Sequence, residues 1–155
     1  MIRNLAELVA HHPLLEGLPT DMPELIAGCA RTVGFAPGRL ILIEGERADT
    51  LYLLRRGHVS LEIRQPGVGP IVIETLGPGA VLGWSWLFPP YRSHLDARAL
   101  DTVLAIAIDA ECLRVKADKD PEFGYRLMLR MTAIILDRLQ ATRYRLLDLY
   151  GAVAG

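Results

Sequence analysis

Cysteine is scarce in this sequence. Cys29 and Cys112 are the only two in 155 residues, far apart and too few for a disulfide framework. Charge of one sign is also missing: 17 basic residues face 18 acidic ones, for a net charge of -1. A balance of that kind leaves no electrostatic footprint for nucleic acid or for an anionic membrane surface. No apolar run reaches the ~20 residues that a membrane span needs. The opening Met-Ile-Arg-Asn-Leu-Ala-Glu has no apolar core of a signal peptide. His11, His12, His58 and His94, taken with the two cysteines, show none of the spacings of metal ligands. A Walker-type glycine loop and a Ser/His/Asp grouping are both absent. There is no internal repeat and no low-complexity segment. The expectation is a cytoplasmic chain that is not an enzyme, holds no metal, spans no membrane and makes no direct contact with nucleic acid.

What is present is a sizeable core. Apolar residues make up 51% and charged residues 23%, which fits one globular domain over residues 1–155. Leu5, Leu8 and Val9 have helical spacing up to Pro13. A second helix is expected from Thr20 or Asp21 to about Cys29, with Pro23 tolerated in its first turn. Residues 1–35 therefore read as short helices. From Ala36-Pro37-Gly38 to Asp109 the signals are short strands and glycine turns. In one of them, Val59, Leu61 and Ile63 alternate with His58, Ser60 and Glu62, the period of a half-buried strand. Such spacing predicts an antiparallel barrel or jelly roll. Residues 110–150 read as helices. Asp109 caps a short one, and Asp120-Pro121 starts a long one running to about Tyr150. The fold class is α+β, mainly β: an antiparallel β-roll flanked by short N-terminal helices and a long C-terminal helix.

The roll carries specific residues. Pro37-Gly38, Ile41-Leu42-Ile43-Glu44-Gly45-Glu46, Leu51-Tyr52-Leu53-Leu54, Gly57-His58-Val59, Gly79, Gly83, Ala97-Arg98-Ala99 and Asp101-Thr102 occur in that order. This series resembles the cyclic-nucleotide-binding domain family, which includes the bacterial cAMP receptor protein and the regulatory subunits of cAMP-dependent protein kinase. The resemblance implies a pocket whose cassette follows Gly83. In the family, a glutamate there meets the ribose and an arginine neutralises the cyclic phosphate. Here Trp84 stands at the glutamate position, and Ser93 stands at the arginine position counted back from Ala97-Arg98-Ala99. Arg92 lies one residue early, and one step along a strand reverses the side-chain direction.

The expected ligand contacts are Gly83, Trp84, Ser85, Trp86, Arg92, Ser93 and His94. The ligand is a cyclic nucleotide or another small molecule, held by other than the family's usual contacts. Two readings stand for Trp84: an aromatic wall that stacks on a planar ligand, or core that fills the vacated pocket. Either Ser85 and the amides after Gly83 hold an anion at the N-terminus of a short cassette helix, or Ser85 merely caps that helix. His94, Asp96 and Arg98 share a face if their strand is regular, as a pocket rim or as a salt-linked surface.

The long helix carries a seam at Met131, Ile135, Leu139, Leu146 and Leu149, and the resemblance implies a homodimer through it. No helix-turn-helix follows before Gly155, so a transcription factor that contacts DNA directly is not expected. Two functions remain. One is a ligand sensor that signals through its C-terminal helix. The other is a ligand-free interaction module that acts on a partner protein.

Overall fold

A computed structural model describes residues 4–154. The first three residues of the N-terminal stretch discussed above, and Gly155, lie outside it. Two short helices open the chain, α1 (Leu5–Ala10) and α2 (Asp21–Ala27), with a 3-10 turn at Pro13–Leu15 between them. Eight strands follow: β1 (Ala30–Phe35), β2 (Leu40–Leu42), β3 (Thr50–Arg56), β4 (Val59–Gln65), β5 (Gly69–Leu76), β6 (Val81–Leu82), β7 (Asp96–Ala99) and β8 (Val103–Asp109). They form two antiparallel four-stranded sheets, ordered β1-β8-β3-β6 and β2-β7-β4-β5. The chain closes with α3 (Ala110–Lys119) and α4 (Pro121–Ala154).

Local chemistry explains most of the boundaries. The Asn4 side chain accepts the Glu7 N–H at 2.8 Å and starts α1. Asp109 accepts from Cys112 N–H at 2.8 Å and starts α3. Asp120 accepts from Phe123 N–H at 3.2 Å, just before the proline that opens α4. Each satisfies an amide that has no partner within its helix. At the β3–β4 turn, Gly57 has φ +86°, and a Cβ there would lie 2.3 Å from the Thr102 carbonyl oxygen. Only glycine fits that site.

The core has two parts. One lies between the α-helices and the β1-β8-β3-β6 sheet and includes Leu51, Leu53, Ile106, Leu113, Phe123, Leu127 and Met131. The other fills the space between the sheets, with Leu54, Leu61, Leu76, Leu82 and Val103. Strand β8 is central and nearly continuously buried, which accounts for its unbroken apolar run.

Several expectations are corrected. Residues 1–35 are not all helical, because Ala30–Phe35 form β1 and pair with β8 from Ala30↔Ile108 to Phe35↔Val103. That pairing brings the two cysteines together. Asp109 N–H donates to the Cys29 carbonyl at 2.9 Å, and Cys112 lies one turn further on. Cys29 and Cys112 form a disulfide across 83 residues, with their Cα atoms 5.7 Å apart. Sequence distance gave no hint of it, because an antiparallel sheet returns the chain to its own start. Strand β4 also departs from simple alternation. A register shift between Leu61 and Glu62 leaves Ile63 exposed and Glu62 buried.

Helix α4 has 34 residues, or ~51 Å at 1.5 Å per residue. Its first half covers the core, where Phe123, Leu127 and Met131 are buried. Met131 therefore belongs to the interior of its own chain and is not free to face a second copy. Ile135 is half-buried, whereas Leu139, Leu146 and Leu149 are exposed.

Candidate ligand-binding site

Strand β6 ends at Leu82, and the chain turns sharply at Gly83. Gly83 has φ +91°, and a Cβ would sit 3.2 Å from the Thr50 carbonyl oxygen, so a side chain is strained by the backbone conformation and would be crowded as well. Beyond it, Ser85–Leu87 form a single 3-10 turn. The segment returns through Pro89, Pro90 and Tyr91 to β7. It is pinned to the β2–β3 loop by Ser93 N–H on the Glu46 carbonyl, and by Gly45 N–H on the Ser93 carbonyl, each at 2.9 Å.

A cavity of about 80 Å³ lies beside Gly83. Leu42, Leu61, Leu82 and Leu95 give it apolar walls, and Ser85, Ser93 and His94 stand at its polar side. Ser85 Oγ and His94 Nδ1 are 3.1 Å apart. Ser93 is buried, and its hydroxyl donates to the Leu95 carbonyl at 2.7 Å. Trp84 is half-buried and lines the cavity. Its ring faces α4, where the Arg138 guanidinium carbon sits 4.4 Å from the ring centroid. Arg138 lines the same cavity and also donates to the Val81 carbonyl. Burial lowers the Arg138 pKa from the ordinary guanidinium value, and the Glu74 carboxylate opposes that shift. The group stays charged under all ordinary conditions.

Five of the seven residues expected at the site line this cavity: Gly83, Trp84, Ser85, Ser93 and His94. Trp86 and Arg92 do not. Trp86 turns into the helical core, where it is 1% exposed and its carbonyl accepts from Arg114 at 2.7 Å. Arg92 pairs opposite Arg47 and donates to the Gly45 carbonyl at 2.9 Å, an exposed contact that closes the β2–β3 loop. Nor do His94, Asp96 and Arg98 act together. His94 precedes β7. Asp96 binds Arg64 at 2.9 Å and accepts from Glu44 N–H at 2.8 Å. Arg98 reaches the buried Glu62 at 3.3 Å, and Ser60 donates to Glu62 at 2.5 Å. These pairs tie β4 to β7 and fix the scaffold.

The residue that sequence reasoning missed is Arg138. The signal for it was present. Met131, Ile134 and Arg138 share one helical face at three-four spacing, so a cation continues an apolar stripe.

A two-sheet roll with a cavity at a cassette turn, bordered by a residue of the long C-terminal helix, is the architecture of a regulatory ligand-binding domain. Residues 32–120 match the family model described as the cyclic nucleotide-binding domain, and the chain belongs to that family. Among solved structures, it is similar to a candidate cyclic nucleotide-binding protein from Geobacter metallireducens. That match has 29% identity and a TM-score of 0.77, over 90% of this chain and 99% of the other. A cyclic nucleotide-binding domain from Methylobacillus flagellatus shares the fold at 18% identity and a TM-score of 0.79, over 94% and 82% of the two chains. Among curated proteins, Glutaminase 2 of Bradyrhizobium diazoefficiens is 27% identical over 139 residues, which are 90% of this chain. The chain spans only 21% of that enzyme's length.

Proposed function

We propose that the chain is a regulatory sensor module that binds a small ligand, nucleotide-like in class, beside Gly83 and transmits its occupancy through α4. The observation that supports this reading is the shared wall. Trp84 of the cassette and Arg138 of α4 close the same cavity and stack on each other. A ligand held in this cavity would lie against both side chains. The cavity is well below the ~300–1,000 Å³ of usual small-molecule sites, so entry requires α4 or the Arg138 side chain to shift. The ligand signal then passes to the projecting half of α4, which we take to pair with a second copy. Resemblance to a fifth of a glutaminase supports a role beside a catalytic unit, with regulation and not catalysis as this module's part. In a reducing cytoplasm, where we place the module, the Cys29–Cys112 pair would be held as thiols.

A thermal-shift series with cAMP, cGMP and AMP tests the reading. A ligand that binds only the folded state adds ~2.7 kcal/mol at a hundredfold excess over Kd, and in a chain of this size that raises Tm by about 5 °C or more. A rise with any of the three supports the sensor. No rise with any of them would favour a ligand-free interaction module, in which Trp84 and Arg138 simply fill the cavity.

A further inference from the structure

No arginine, lysine or carboxylate lines the cavity beside Gly83 from its β-roll side. Ser93 is hydrogen-bonded to the Leu95 carbonyl, and Arg92 is engaged at Gly45 on an exposed loop. The cation that does line the cavity, Arg138, comes from the opposite side, from α4. Among the described residues it has no carboxylate within ion-pair distance. Its partners are a neutral carbonyl, at Val81, and the face of an indole. A half-buried guanidinium without an ionic partner is costly to keep, and an anion brought to it forms a charge-assisted bond stronger than the one to a carbonyl. Arg138 also borders a second space, a groove of about 400 Å³ between α4 and the segment from Gly79 to Val81. Its side chain thus borders both the small cavity and the larger groove.

Resting on the sensor reading above, we propose that Arg138 is the anion-binding group of this site and that the ligand is a planar organic phosphate. The phosphate takes the place of the Val81 carbonyl on the guanidinium, and the planar part lies against Trp84 and the leucine walls. The charge of the ligand is then read by α4 directly and not by the β-roll, so the contact that recognises the ligand is also the one that moves the helix.

The test is calorimetric titration of wild type, Arg138→Gln and Arg138→Lys with cAMP and with adenosine, which lacks the phosphate. Circular dichroism and ligand-free Tm establish that each variant is folded. The expected result is that cAMP binds wild type about ten- to a hundredfold more tightly than it binds Arg138→Gln, the usual weight of a charged hydrogen bond. Arg138→Lys falls between them, and adenosine binds all three equally weakly. Equal cAMP affinity in wild type and Arg138→Gln overturns the role of Arg138 and leaves the sensor reading standing, as does adenosine binding wild type as tightly as cAMP. Absence of heat with both compounds in all three proteins overturns the proposal and the nucleotide-sensor reading together.

Discussion

His12 is 5% exposed, a polar ring placed among apolar residues. Its Nδ1 accepts from Leu14 N–H at 3.2 Å, which leaves the proton on Nε2, an atom without a hydrogen-bond partner among the described residues. Burial lowers its pKa from the ordinary imidazole value, while the nearby Leu54 and Ala80 backbone opposes the shift. Below about pH 6.5 the unfolded chain takes up a proton at this position, and the folded chain takes it up only at lower pH. Stability is therefore complete above that value and falls as pH drops through the interval beneath it. The variant His12→Asn keeps an acceptor near Leu14 N–H and removes the titrating ring. It should melt lower than wild type at pH 7.5, because of the lost volume, yet lose less Tm between pH 7.5 and pH 5.5. Scanning fluorimetry at the two values decides it, and an undiminished loss would place the proton elsewhere. At this scale the sequence was legible wherever the chemistry is local. Asp109 and Asp120-Pro121 act on amides within a few residues, and Gly57 on its own turn. The burial of Glu62 was not legible, since its partner Arg98 is 36 residues away.

At the scale of elements, the strands from β2 to β8 and the two C-terminal helices announced themselves through turns and caps. Strand β1 did not. Its residues show an irregular burial pattern, and it is held in place by the backbone of β8, a constraint visible only once the sheet is assembled. The disulfide escaped for the same reason. It joins the entrance of β1 to the first turn of α3, so it clamps the helical layer to the sheet edge. A bridge that closes a loop of 83 residues removes much of the freedom of the unfolded chain, with a typical stabilisation of ~2–4 kcal/mol. Urea unfolding with and without dithiothreitol should show a loss of that order on reduction, and Cys112→Ser should match the reduced wild type. A reduced protein with an unchanged urea midpoint would mean that the bridge adds nothing to stability.

At the scale of the molecule, the question is what covers α4. Leu136, Leu139, Leu146, Leu147 and Tyr150 recur at helical spacing, and each is at least 45% exposed. They make an apolar stripe along a helix that has left its own core. Of the seam residues expected from sequence, Leu139, Leu146 and Leu149 are exposed and Met131 is not. Met131 turns inward, while Leu136, Leu147 and Tyr150 extend the exposed side. Where a helical face packs depends on where the body beneath it ends, and spacing alone does not encode that. We expect two copies to bury these stripes against each other in a left-handed crossing, as apolar seams of this period do. Sedimentation equilibrium should then report a dimer for wild type and a monomer for the double variant Leu139→Asp, Leu146→Asp. Both positions are solvent-exposed within a single chain, so a monomeric variant should keep its far-ultraviolet spectrum and its ability to bind any ligand found for the wild type. If both proteins sediment as monomers, the stripe serves a partner of another kind, and the route from cavity to helix ends on that partner and not on a second copy of the chain.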